Sequence, residues 1–193
     1  MNKSALPRLV AVVLAAGQSR RFGTTKQLAS LGQAPLVRRA VDNARGAPVD
    51  AVVLATGHDH AAVHAAGNSD FFLVNENYRD GMGSTLAQAA RTLAPVTDGL
   101  LVCLADQPLI PAEHLAALRE AWDGSPDRAI ATAFGSSVGP PVLFGSRYFA
   151  DLGNLRGEAG AKALLDAAGD QLVTIRLEAA AIDIDRPEDL ENL

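Results

Sequence analysis

The segment Leu14-Ala15-Ala16-Gly17-Gln18-Ser19-Arg20-Arg21-Phe22-Gly23-Thr24-Thr25-Lys26 gathers small residues, two arginines and a lysine directly behind an apolar run. Small residues let successive backbone N–H groups face an anion, and Arg and Lys supply charge where phosphate oxygens would lie. That is the chemistry of a phosphate cradle. It is not a Walker A loop, because five residues separate Gly17 from Gly23 and no Ser or Thr follows Lys26. Nor is it G-x-G-x-x-G. From this segment alone, a glycine-rich surface turn with solvated basic residues stays open as the alternative.

Leu104-Ala105-Asp106-Gln107-Pro108 places a carboxylate at the end of a second apolar run. Mg²⁺ keeps several waters and takes one or two protein carboxylates plus substrate phosphates, so a single well-placed Asp can found a metal site. The competing role for Asp106 is to cap the turn before a helix at Pro111. Asp183-Ile184-Asp185 closes a third apolar stretch. Strand alternation would turn both carboxylates to one side, and Asp185 is the candidate second ligand. Capping of a helix at Pro187 is its alternative.

Gly81-Met82-Gly83-Ser84 precedes an apolar helix pattern and reads either as turn geometry or as a set of N–H and hydroxyl groups at a helix start. Among the histidines His58, His60, His64 and His114, the second and third are four apart, but no carboxylate motif joins them and a zinc site is not expected. The single cysteine, Cys103, lies inside an apolar strand, so it reads as structural and excludes an intramolecular disulfide.

These residues need elements to position them. Leu9–Leu14 is a continuous valine-rich run, as a strand buried on both faces requires. The pattern continues with a helix over Pro35–Arg45, a strand over Ala51–Ala55, a helix over Asp59–Ala66 and a strand over Phe71–Val74. A helix then starts near Gly83 and runs to Leu93, followed by a strand at Leu100–Leu104 and a helix at Pro111–Trp122. Strands at Ala129–Ala133, Pro141–Phe144 and Leu172–Leu177 follow, with a helix at Glu158–Ala168 between the last two. The pattern closes with a strand at Ala181–Ile184 and a helix at Pro187–Leu193. Repeated βα units predict an α/β fold, a single domain over 1–193 with a doubly wound, mostly parallel sheet flanked by helices. Such sheets bind ligands beyond the carboxyl ends of their strands, where the first loop and Asp106 would meet.

With 193 residues, 48% hydrophobic and 20% charged, the chain can bury a real core. Its net charge of −5 gives no general attraction to nucleic acid or anionic membrane, so any polyanion must be met by a local cluster. The Leu9–Ala16 run is too short to span a bilayer and does not follow a signal-peptide layout, which makes the cytoplasm the expected location.

The pattern L-A-A-G-x-S-x-R-x-G-x-x-K from Leu14 to Lys26, L-A-D-Q-P from Leu104 to Pro108, and D-I-D-x-P-E-D-L from Asp183 to Leu190 resemble the MobA-like nucleotidyltransferases, a Rossmann-like fold family. Asn77–Leu86, Gly139–Phe144 and Gly157–Lys162 are most similar to the molybdenum cofactor cytidylyltransferases. One departure is Pro140, where many relatives carry histidine.

The resemblance implies transfer of CMP from CTP to the terminal phosphate of molybdopterin, with a molybdoenzyme or its chaperone as recipient of the product. It implies catalytic roles for Lys26, Arg21 and Asp106, with Mg²⁺, or Mn²⁺ in its place, held by Asp106 and Asp185. Leu14, Ala15, Ala16, Gly17, Lys26, Gly81, Gly83, Ser84 and Asp106 would bind the nucleotide, with Gly81–Ser84 reading the base. Two other classes stay in view: a GTP-dependent or sugar-phosphate nucleotidyltransferase, and a non-catalytic molybdenum cofactor chaperone. Alanine at position 16, where guanylyltransferase relatives tend to carry glycine, argues against GTP, and Lys26 with Asp106 argues for turnover.

Overall fold

The computed structural model describes residues 8–158 and 160–193. In chain order its elements are β1 (Leu9–Ala15), the two-residue strands β2 (Ser30–Leu31) and β3 (Ala34–Pro35), α1 (Leu36–Arg45), β4 (Ala51–Thr56), α2 (His60–Gly67), β5 (Phe71–Val74), α3 (Met82–Leu93), β6 (Gly99–Leu104), α4 (Ala112–Glu120), β7 (Ala129–Phe134), β8 (Ser137–Gly145), α5 (Phe149–Gly153), α6 (Lys162–Ala167), β9 (Leu172–Arg176) and α7 (Pro187–Glu191). Seven strands form one sheet in the order β5-β4-β1-β6-β8-β7-β9.

All of β1 is buried, and its side chains divide by parity between two cores. Leu9, Ala11 and Val13 pack with Val37 and Val41 of α1 and with Leu115 and Leu118 of α4. Val10, Val12 and Leu14 pack with Leu86, Ala89 and Leu93 of α3 and Leu152 of α5. This is why the run is apolar without alternation: each strand face has its own helix layer to meet. Burial of such side chains contributes about 1.5–3 kcal/mol each, which holds helices as short as α5 that would not persist alone. The doubly wound, mostly parallel α/β sheet expected from the sequence is the fold observed.

β1 pairs in parallel with β4 on one side and β6 on the other. The winding direction reverses between β1 and β6, so the loops after Ala15 and after Leu104 open into the same crevice.

Several local expectations are corrected. The strand expected at Pro141–Phe144 is longer: β8 begins at Ser137, before Pro140 and Pro141, whose missing N–H groups hid its first part, and it runs antiparallel to both β6 and β7. The expected strand over Ala181–Ile184 is absent among the described residues: Glu178–Ala181 forms a 3-10 turn, and Ile184 docks by donating its N–H to the Asp106 carbonyl at 2.9 Å. The helix expected over Glu158–Ala168 is confined to Lys162–Ala167, with Ala159 outside the described residues. α5, which follows β8 after a 3-10 turn over Ser146–Tyr148, was not expected.

Candidate active site

The carboxyl ends of β1 and β6 are tied together where the Ala105 N–H donates to the Leu14 carbonyl at 3.1 Å. From there 16–25 loops outward, and Lys26–Leu28 closes it with a 3-10 turn. Ser19 sits at φ +54°, in the left-handed region that costs a side-chain-bearing residue, and its carbonyl accepts the N–H groups of Phe22 and Gly23. The loop borders a cavity of about 440 Å³, reached also by Lys26, Asp106 and Asp185.

The charged groups meet along one wall of this cavity. Lys26 Nζ lies 2.7 Å from Asp106 Oδ2 and 3.1 Å from Asp185 Oδ1, and it donates to the Ile184 carbonyl at 2.7 Å. Its three protons are thereby all used. Arg21 Nη1 stands 2.9 Å from the other oxygen of Asp185, on the solvent side. Burial acts to lower the Lys26 pKa, but the Asp106 and Asp185 carboxylates outweigh it and hold the ammonium above its ordinary range. The Asp183 carboxyl is pushed up to about 6 by partial burial first and then by the negative charge of Asp106 and Asp185. Asp106 and Asp185 thus meet Lys26 and Arg21 directly, while Asp183 feels their negative charge.

Both structural alternatives for the aspartates fail here. α4 starts at Pro111 without a side-chain cap, so Asp106 does not cap it. At α7 the capping carboxylate is Asp189, whose Oδ2 accepts the N–H groups of Asp185 and Arg186, both at 2.8 Å. Asp185 is thus free to turn toward Lys26.

No group of three or more His, Cys, Asp or Glu side chains among the described residues is arranged to hold an ion by itself. A cation at Asp106 would need further oxygens from a ligand, as Mg²⁺ commonly takes from substrate phosphates. The donor set fits a hard divalent ion bound together with a phosphate chain.

Residues 11–173 match the family described as the MobA-like NTP transferase domain. The chain belongs to that family. It is a nucleotidyltransferase in family and fold. The purine catabolism protein PucB of Bacillus subtilis strain 168 is 28% identical over 198 residues, covering 96% of this chain and 95% of its own. The crystal structure of Rv0371c from Mycobacterium tuberculosis H37Rv superposes with a TM-score of 0.85 at 26% identity, covering 96% of each chain. A second structure of that protein, a complex with manganese, gives 0.79 at 24% identity, covering 96% of this chain and 97% of its own. The 3-deoxy-manno-octulosonate cytidylyltransferase of Anaeromyxobacter sp. strain Fw109-5 is 37% identical over 133 residues, which are 63% of this chain and 50% of that enzyme.

The other wall of the cavity comes from the start of α3. Gly81 adopts φ +94°, and a Cβ there would come within 2.4 Å of the Gly157 backbone, so the turn demands glycine twice over. Gly81 lines the cavity with Leu14, Ala15, Ala16 and Gly17. Gly83 and Ser84 do not. The Gly83 N–H donates to the Gly157 carbonyl at 2.9 Å. The Ser84 hydroxyl lies 2.8 Å from the Gly81 carbonyl and accepts from Asn75 Nδ2 at 2.8 Å, facing a second groove on the far side of the turn.

Tyr78, Arg79, Met82 and Glu158 also line the cavity; they lie in the segments that carry the family resemblance, but none was singled out as a site residue. The signal available for Tyr78 and Arg79 was their place in the Asn77–Leu86 segment, directly before the Gly81 turn. His58 packs beside the Tyr78 ring at 5.9 Å, His64 stacks on Phe72 at 4.0 Å, and His114 Nε2 meets the Thr132 hydroxyl at 2.8 Å in the core. Cys103 is buried, and burial pushes its thiol up to about 12. Among the described residues no helix is long and apolar enough to cross a membrane.

Proposed function

We propose that this protein transfers CMP from CTP to the terminal phosphate of molybdopterin, releasing pyrophosphate and forming molybdopterin cytosine dinucleotide. The observation that carries the reading is the meeting of Lys26, Arg21, Asp106 and Asp185 at one cavity beyond β1 and β6. The cytidylyltransferase relative supports CTP. The acceptor rests on the resemblance of Asn77–Leu86 and Gly157–Lys162 to the molybdenum cofactor cytidylyltransferases.

In this reading a terminal phosphate oxygen of the acceptor attacks the α-phosphorus in line, and the bond to pyrophosphate breaks as the new one forms. Such a transfer needs positioning and charge stabilisation more than a protein nucleophile. Lys26 and Arg21 exchange their contacts with Asp106 and Asp185 for the triphosphate and meet the charge that grows on the leaving pyrophosphate. Ala15, Ala16 and Gly17 bring backbone close to the nucleotide. No packing or backbone constraint requires glycine at 17, since the nearest atom to a Cβ there is Gln27 Nε2 at 3.8 Å, so its missing side chain serves the open space. Asp106 and Asp185 would hold Mg²⁺ or Mn²⁺, and manganese in the mycobacterial structure supports a divalent ion. When bound, that ion supplies neutralisation of the phosphate oxygens. Leu14 and Gly81 border the nucleotide, and Gly83 and Ser84 act through the Gly81 turn they brace.

The test is pyrophosphate release from each of the four ribonucleoside triphosphates, with and without molybdopterin. Release from CTP only when molybdopterin is present is the expected result. Equal turnover of GTP would overturn the cytidylyl assignment, and acceptor-independent CTP binding without release would point to a chaperone.

A further inference from the structure

Directly behind the loop lies a buried amide with no part in the chemistry above. Gln27 is 3% exposed, yet it follows Lys26 directly and its side chain reaches back to the start of 17–26. Its Nε2 donates to the Gly17 carbonyl at 3.0 Å, and its Oε1 accepts from the Ser19 hydroxyl at 3.1 Å. The Ser19 oxygen in turn accepts the Lys26 backbone N–H at 3.1 Å. The orientation of the amide is forced, because the Gly17 carbonyl can only accept.

These bonds decide which way two peptide planes face. In a trans peptide the N–H of one residue points opposite to the carbonyl of the residue before it. Pinning the Gly17 carbonyl to Gln27 therefore turns the Gln18 N–H the other way. The Ala16 carbonyl is likewise held, by the His58 N–H at 3.2 Å, which turns the Gly17 N–H outward. Neither N–H has an acceptor among the described residues, and both Gly17 and Gln18 line the cavity. A carbonyl swung into the same space would repel a phosphate; an N–H attracts it.

We infer that Gln27 is a positioning residue for the triphosphate: it holds the Gly17 carbonyl on the core side so that the Gln18 N–H is presented to the anion, with Ser19 as its relay to Lys26. This rests on the reading that the cavity takes a triphosphate. Gln27→Glu places an oxygen where the Gly17 carbonyl needs a donor, Gln27→Leu removes both hydrogen bonds at similar volume, and Ser19→Ala cuts only the relay.

The experiment measures binding of inorganic tripolyphosphate by calorimetry to the unaltered protein and the three variants, with the ¹⁵N–¹H signals of Gly17 and Gln18 followed by NMR and the melting temperature recorded alongside. Misaligning one charge-assisted hydrogen bond weakens binding by about tenfold or more. We expect that loss in Gln27→Glu and Gln27→Leu, a smaller loss in Ser19→Ala, and disappearance of the tripolyphosphate-induced shift of the Gln18 signal. A merely structural amide would lower the melting temperature and leave that shift in place. Should Gln27→Leu fail to fold, Gln27→Glu and Ser19→Ala decide the matter. Unchanged affinity and an unchanged Gln18 shift in the folded variants overturn the role of Gln27 alone. No binding by the unaltered protein overturns the triphosphate reading itself and this inference with it.

Discussion

Replacement of Lys26 by methionine tests the electrostatics of the site without any ligand. Methionine keeps most of the apolar stem, so packing changes little, while the ammonium between Asp106 and Asp185 is lost. The Lys26 side chain is 12% exposed and the Asp106 side chain 26%, so the orphaned carboxylate is only partly able to turn to water. Removing one partner of a fully buried pair costs about 3–5 kcal/mol, and the partial exposure here reduces the expected loss to about 2 kcal/mol. For a chain of this size that is a fall of about 4–8 °C in melting temperature. The Lys26 pKa is raised on folding, so its contribution is complete below the ordinary lysine value near 10.5 and is lost as pH climbs through the higher folded value. The deficit of Lys26→Met should therefore be undiminished between pH 7 and 9. Adding Asp106→Asn removes the stranded charge and should recover about half of the loss. Circular dichroism melts of the four proteins in the cycle give the answer. A single variant melting within about 1 °C of the parent, or strictly additive effects, would refute the coupling.

Asp183 carries the opposite sign: its folded pKa of about 6 lies above the ordinary carboxylate value, so ionising it opposes folding above that pH and not below pH 4. Since part of this side chain stays in water, Asp183→Asn should raise stability at pH 7.5 by no more than about 1 kcal/mol and leave melts at pH 4 unchanged. Gly81→Ala must place a Cβ within 2.4 Å of the Gly157 backbone at φ +94°, and should lower stability by about 2 kcal/mol or more in urea titrations. The Cys103 thiol, buried and pushed up to about 12, should resist alkylation by iodoacetamide at pH 8 until denaturant unfolds the chain; fast labelling of the native protein would contradict its burial.

The sheet was legible in the sequence because its information is local: Leu9–Leu14, Ala51–Ala55 and Leu100–Leu104 are apolar runs of strand length, each closed by turn residues, and a strand covered on both faces can be written in no other way. The cations after β1 and the carboxylate after β6 were legible too, since the rule that ligands gather beyond strand ends locates them before any contact is known. β8 was harder, because Pro140 and Pro141 break the strand pattern while its antiparallel neighbours tolerate them. Only tertiary structure could free Asp185 from capping α7, a choice decided by Asp189 taking the two N–H groups instead. Only tertiary structure could turn Ser84 from the cavity, through hydrogen bonds to Asn75 and the Gly81 carbonyl. It alone showed Gln27 behind the loop, for nothing in a lone glutamine reports which carbonyl it will hold. The division follows from range: hydrophobic burial is written in short periodic patterns along the chain, whereas the direction of a polar side chain depends on partners that folding brings from distant segments.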